Sequence, residues 1–406
     1  MTMENQKGKL KSNIRKNYLF LGLSTLDLTR GLWMIYLMSR GFTLIELGLL
    51  EGVFHMTSFI MEIPTGIVAD LYGRKTSRLL GRFFFLISLG IMFWSHSFLM
   101  QLFGFTITAI GYNLESGAGE ALLYDSMKEI GIESQYKKTA GRNNLILEIG
   151  GVLSFLIGGF IAVRLGYTWV FIPSMLLCVI SIINANSFIE PSLVKHEQKR
   201  LKKMGWVKAL IVQTGESLKV VKERPKIAFL IIFSELIFMF LTSLFFYLQT
   251  YWKGNGWDEF SIGLVLAATS VMSAISGIQG EAIEKTIGDR AILLFAPLLL
   301  LISMWGIALT PYAPFFFILT GLIDGMLYVA IQDYLNKMIP SERRATVLSF
   351  QSMTFSIFMI IFFPIIGFFG ELYGLKITFT GFAAIATILF IIYFIVTRKM
   401  QFAKQA

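Results

Sequence analysis

A chain of 406 residues that is 55% hydrophobic and only 15% charged, with a mean hydropathy of +0.66, is no ordinary soluble protein; one of that length carries about 25% charged residues. The formal net charge of +10 would suit a nucleic-acid binder, but the cations fall between long apolar runs, and that placement excludes nucleic acid as a partner. The single cysteine, Cys178, sits inside an apolar run, so neither a disulfide framework nor a cysteine zinc site can form within one chain.

The first apolar stretch follows a basic segment (Lys7, Lys9, Lys11, Arg15, Lys16), as in a signal peptide. Asp27 and Arg30 interrupt it, no small-residue cleavage site follows, and it is expected to be retained as a first span. A span needs about 20 mostly apolar residues. That rule places spans at 17–39, 46–69, 79–95, 99–121, 143–163 and 168–188, and a second set at 226–251, 260–280, 291–309, 313–334, 347–370 and 376–397. The expected organisation is a cytoplasmic tail (1–16), an N-terminal six-helix bundle (17–188), a polar linker (189–225), a C-terminal six-helix bundle (226–397) and a second tail (398–406). Of the 36 lysines and arginines, 31 fall on one side of these spans, among them Arg74, Lys75, Arg78 and Arg82 between spans 2 and 3. So strong a bias puts both termini in the cytoplasm. In the linker, Trp206, Val207, Leu210, Ile211, Leu218 and Val221 recur at helical spacing among lysines, the pattern of a basic amphipathic helix on the inner leaflet.

The most specific stretch is Glu62–Arg82, E-I-P-T-G-I-V-A-D-L-Y-G-R-K-T-S-R-L-L-G-R. Gly66 is expected to admit a close helix neighbour, Gly73 to take a backbone angle a side chain would resist, and Asp70 to cap the turn and pair with a cation. Glu62 is expected to brace the same gate. The spacing Gly66-x3-Asp70-x2-Gly73-Arg74-Lys75 resembles the signature loop of the major facilitator superfamily. A degraded copy follows span 8, where Gly280, Glu284, Gly288 and Arg290 stand in for Gly66, Asp70, Gly73 and Arg74. Asp125 and Asp333, and Arg142 and Arg344, also correspond between halves. Two homologous halves are what an alternating-access carrier is built from. The resemblance thus implies an all-α polytopic membrane protein of twelve transmembrane helices in two pseudo-symmetric six-helix bundles. Segments 62–70, 116–126 and 339–349 resemble the bacterial drug-exporter-like branch, which implies proton-driven efflux of amphiphilic compounds from a bacterial cytoplasmic membrane. On span 5, Gly150, Gly158 and Gly159 fit the antiporter-like motif, but Ser154 and Phe155 replace its central Gly-Pro.

Ionisable residues inside spans cost about 2.5–3.5 kcal/mol each on insertion scales and are candidates for function. Asp27 and Arg30, three apart on one face, either pair with each other or leave Asp27 to bind a proton or cationic substrate. Glu115, Glu148, Glu235 and Asp324 complete the candidate cavity set, with Glu51 and Glu120 as further buried acids. An acidic cavity would suit protons and lipophilic cations and disfavour anions. Trp33, Tyr36, Tyr112, Phe246 and Tyr328 could offer aromatic surface, while Trp252 and Trp257 have the placement of interfacial anchors. His55, His96 and His196 form no metal-ligand spacing, and no phosphate-binding G-x4-G-K-[ST] loop or serine nucleophile elbow occurs. The expectation is therefore a transporter rather than an enzyme, without cofactor and driven by a proton gradient. Its partners would be a small-molecule substrate and the lipid bilayer, and it would form its cavity as a monomer. A carrier of one endogenous metabolite is the alternative, and a membrane enzyme or receptor the remote one.

Overall fold

A computed structural model describes residues 3–192, 225–338 and 344–400; within these, the side chains of 3–7, 281–285, 287, 289–291, 336–337, 344–346 and 396–400 are not described. The chain is all-helical over the described residues. The first half comprises α1 (Met3–Thr25), α2 (Trp33–Ser39), α3 (Leu44–Tyr72), α4 (Arg74–Trp94), α5 (Phe98–Glu115), α6 (Ala118–Glu129), α7 (Tyr136–Leu165) and α8 (Thr168–Ser187). The second comprises α9 (Pro225–Gly254), α10 (Glu259–Ile287), α11 (Asp289–Leu309), α12 (Ala313–Met338), α13 (Arg344–Tyr373) and α14 (Leu375–Met400). Ten of the described helical segments are long and apolar enough to cross a membrane.

Two expected spans are broken. Span 1 becomes α1 and α2 with a turn at 26–32, and span 4 ends at Glu115 before Gly117, whose φ of 70° stops the helix and lets α6 start anew. The other ten correspond to one helix each. The proposed linker helix, Trp206–Val221, lies outside the described residues, as do the side chains of Glu284, Arg290 and Arg344.

The chain divides into two compact units: residues 1–30 with 50–220, and 31–49 with 221–406. In the first, α4 packs on α5 and α8, and α1 on α7 and α8. The α4–α5 seam is closed by two glycines facing each other. A Cβ on Gly81 would stand 2.7 Å from the Gly111 carbonyl, and one on Gly111 2.8 Å from the Gly81 carbonyl. Small residues let backbones approach this closely where lipid offers no hydrophobic drive. In the second unit α10 packs on α12, with Gly321 and Gly325 against the carbonyls of Thr269 and Ser273. There α2 and the start of α3 join α9 and α13. Leu44 donates its N–H to Glu371 (2.8 Å), Trp33 meets Phe246 edge-on, and Tyr247 donates to the Phe363 carbonyl (2.7 Å) beside Gly48. Trp252, expected as an interfacial anchor, is instead 2% exposed and stacks on Trp257.

Candidate substrate and coupling site

The break between α1 and α2 arises from Leu26-Asp27-Leu28-Thr29-Arg30-Gly31, where Asp and Thr offer the backbone local alternatives to helix. Thr29 donates both its N–H (3.0 Å) and its hydroxyl (2.6 Å) to Asp27 Oδ1. The Leu28 N–H is taken by Ser174 Oγ (3.1 Å), and the Asp27 carbonyl accepts from the Ser154 hydroxyl and from the Arg30 N–H (3.2 Å). Backbone groups freed by unwinding inside a membrane must find such partners. On α7 the stripe Gly150, Ser154, Gly158 faces this turn. A Cβ on Gly150 would overlap Thr25, and one on Gly158 would stand 2.5 Å from the Leu28 carbonyl. Gly159 is buried beside them. The residues that replace the antiporter motif's Gly-Pro thus have definite partners: Ser154 holds the turn, and the Phe155 ring lies 5.9 Å from the Arg30 guanidinium.

Of the two alternatives for Asp27 and Arg30, the ion pair does not form. The break removes the helical i, i+3 geometry, Thr29 occupies Asp27 Oδ1, and no described carboxylate lies within 4 Å of Arg30.

A cavity of about 400 Å³ opens in the first unit between α1, α4, α5, α6 and α7. Its walls include Asn17, Arg78, Arg82, Tyr112, Glu115, Glu120, Asn143 and Asn144. Arg82 pairs with Glu115 (2.7 Å), and the Arg78 guanidinium lies 3.9 Å from the Phe20 ring centroid and 4.9 Å from that of Phe188. Arg78 donates from Nη1 to Asn17 Oδ1 (2.9 Å), and Asn17 donates in turn to Asn143 Oδ1 (3.1 Å). The charge asymmetry places both arginines at the cytoplasmic turn; they lie within α4, and Arg78 is 2% exposed. This cavity of the first unit is not purely acidic, because the two guanidiniums line it together with Glu115 and Glu120. Glu115 is in place as a cavity residue, whereas Glu148, half-buried on α7, does not line this cavity.

The turn between α3 and α4 carries the signature loop. Gly73, with φ 100°, is the N-cap of α4. The Glu190 carboxylate sits on that helix N-terminus, accepting the N–H groups of Arg74 (2.8 Å) and Lys75 (2.9 Å). A negative charge there satisfies orphan donors and the helix dipole together. A Cβ on Gly73 would lie 3.1 Å from the Glu190 carboxyl and crowd it, while the φ of 100° is what calls for glycine there. The Arg74 side chain pairs with Asp125 at the far end of α6. The α4 cap expected from Asp70 is supplied by Glu190; Asp70 is half-buried in the last turn of α3. Among the described residues a Cβ on Gly66 would meet nothing within 4 Å, so the expected close helix approach is not seen there. Glu62 is half-buried one turn before Gly66, next to the buried Ile63 and Ile67. Glu190 was missed from sequence, and its only signal there is the dipeptide Glu190-Pro191 closing the last apolar run of the half.

In the second unit, Glu235 is 5% exposed and accepts from Gln351 Nε2 (2.7 Å) and Ser234 Oγ (3.2 Å), with no described cation within 4 Å. Asp324, exposed on α12, accepts from Ser273 Oγ (2.8 Å). Gly288 caps α11 with φ 81°, the counterpart of Gly73.

The sequence model of the Major Facilitator Superfamily matches residues 19–319 and 252–404. The chain belongs to that superfamily. It is 25% identical over 380 residues to the uncharacterised MFS-type transporter YxaM of Bacillus subtilis, covering 90% of this chain and 91% of that one. It is 22% identical to another uncharacterised MFS-type transporter, from Methanocaldococcus jannaschii, covering 91% and 94%. Among solved structures, a mutant of the nucleoside transporter NupG superposes with a TM-score of 0.76 at 14% identity over 96% of this chain and 98% of that one. A D-xylose-proton symporter gives 0.69 at 12% identity over 95% and 96%. The fold is thus the major facilitator fold, and the protein is a multi-pass membrane transporter rather than an enzyme.

Proposed function

We propose that this superfamily member couples the movement of a small amphiphilic organic solute to protons by alternating access, with Asp27 as the proton-carrying group. The observation that carries this reading is the placement of Asp27 in a helix break, within the stretch expected to be the first span. Discontinuous spans are where secondary transporters bind substrates and coupling ions. One carboxylate oxygen is held by Thr29, while Arg30 makes no ion pair with Asp27, so the charge can be gained and lost without breaking a salt bridge. A proton crossing about 100 mV releases roughly 2.3 kcal/mol, enough to drive a solute gradient of nearly two decades. No cofactor is invoked. Export is supported by the resemblance of segments 62–70, 116–126 and 339–349 to drug exporters, and a cytoplasmic location of both termini in a bacterial inner membrane by the lysine and arginine asymmetry. The cavity's asparagines and arginines favour a second reading, transport of a polar endogenous metabolite, for which a nucleoside transporter and a D-xylose-proton symporter of the same fold are precedents.

The test uses everted vesicles with an acid interior, containing wild type or Asp27→Asn, to which a panel of amphiphiles and metabolites is added while the pH gradient is followed. Collapse of the gradient in wild type and its absence in Asp27→Asn is the expected result. Equal collapse in both overturns the assignment of Asp27.

A further inference from the structure

We infer that the cavity at α4 is a binding site for an organic monoanion, a carboxylate attached to an apolar body, and that Arg78 is the residue that receives the anion. This names the substrate class for the transporter proposed above and rests on that reading.

The buried charges in contact at this site do not cancel. Arg82 and Glu115 form one closed pair, with Glu115 accepting at both oxygens (2.7 and 2.9 Å). Arg78 has no carboxylate within 4 Å among the described residues, and its one hydrogen bond goes to the neutral Asn17. Its Nε and that of Arg82 are buried without an acceptor. A guanidinium stripped of water and left without a counter-charge is strongly destabilising. The Phe20 and Phe188 rings offset part of that by cation–π attraction, but they supply no acceptor. Among the buried groups the excess is one positive charge, at the wall of a cavity of about 400 Å³, the size of small-ligand sites; the remaining charge of the lining, Glu120, is exposed and screened by solvent. A monoanion neutralises it.

Space has been left for the guanidinium. A Cβ on Gly119 would stand 3.1 Å from Arg78 Cζ and 3.2 Å from Nε and Nη2, so a side chain there would push the charged group off the wall. The rest of the lining fits the body of such a solute: Leu21 and Leu147 are apolar, and Tyr112 and Tyr136 offer ring surface. Guanidinium is the group best matched to a carboxylate in geometry and weakest in its hold on water. Glu120 stands exposed on the same wall and makes no ion pair with either arginine, which disfavours dianions such as phosphate esters.

The experiment measures ligand-induced thermal stabilisation of the purified full chain in detergent at constant ionic strength. The probes are benzoate, octanoate and inorganic phosphate, with benzamide and octanamide as uncharged isosteres. Benzoate or octanoate is expected to stabilise wild type with saturation, the amides and phosphate are not, and Arg78→Gln is expected to lose at least tenfold in apparent affinity. Glu115→Gln adds one net positive charge and is expected to bind the monoanions more tightly and to accept phosphate, a gain that misfolding cannot imitate. The inference is overturned if no carboxylate stabilises wild type, if the amides match the acids, or if Glu115→Gln gains nothing. No gradient is present in this assay, so its outcome is separate from proton coupling. Saturable anion binding without gradient-linked movement would sink the coupling and leave this site standing, and Asp27-dependent collapse of the gradient without anion binding would do the reverse.

Discussion

The two units handle buried charge in different ways. In the first, Arg82 and Glu115 neutralise each other inside the span, Arg74 meets Asp125, and Glu190 sits on a helix N-terminus. In the second, Glu235 is held by the neutral side chains of Gln351 and Ser234. The contrast extends to the helices that open each half: α1 breaks at Asp27, whereas α9 runs unbroken over the 30 residues of Pro225–Gly254. A pseudo-symmetric ancestry therefore does not make the halves electrostatically equivalent. The first unit closes its deepest couple, Arg82 and Glu115, and leaves Arg78 on the neutral Asn17; the second holds Glu235 on neutral partners, with its described ion pair, Lys253–Glu259, at the end of α9.

This comparison can be broken most sharply at Arg82. Removing one member of a buried pair leaves the other uncompensated, and Arg82→Leu is expected to cost about 3–5 kcal/mol. The double variant Arg82→Leu, Glu115→Leu should recover most of it, and thermal unfolding in detergent of the four species of the cycle measures the coupling. Additive losses would show that the pair contributes nothing beyond packing.

The α4–α5 seam that positions the pair comes next. Gly81→Val forces a side chain against the Gly111 carbonyl, and overpacking of this kind costs about 1–3 kcal/mol. The matching loss of transport should exceed that of a lipid-facing substitution such as Phe83→Ala, since Phe83 is exposed on the same helix.

At the α3–α4 turn, Glu190→Ala removes the cap of α4, with an expected loss of about 1 kcal/mol. Glu190→Gln should restore part of it by keeping acceptors for Arg74 and Lys75. Hydrogen exchange of the first turn of α4 is the readout, and unchanged protection in Glu190→Ala would refute the cap.

The smallest effect is expected in the second unit. Glu235→Gln retains an acceptor for Gln351 Nε2 and supplies donors near Gln351 Oε1, which is buried without one. Stability should change by less than about 1 kcal/mol, in line with a neutral-to-neutral hydrogen bond. A loss as large as that at Arg82 would mean that Glu235 has an electrostatic role as deep as the paired charges of the first unit.

The spans were legible because each depends on its own composition: some 20 apolar residues must form a helix in lipid whatever surrounds them. The α3–α4 turn was legible for the same reason, since Gly73 and the Arg74-Lys75 pair lie within a few residues of each other. The cavity was not. Arg78 and Arg82 resemble ordinary flanking cations until one knows that Asn17, Phe20 and Glu115, from 33 to 61 residues away in the chain, surround them. The break in α1 was equally hidden, because Asp27 and Arg30 read as helical neighbours until Ser154 and Ser174, more than 120 residues on, take the freed backbone groups.

The sequence alone therefore determined the membrane-embedded helical class, the two-half architecture and the place of the α3–α4 turn, all of them consequences of local hydropathy and local charge. Only the tertiary structure decided which charges lie buried, which are neutralised, and which one is left over. That is a property of partners distant in the chain, and in a medium of low dielectric constant the identity of the partner sets the energy of the charge.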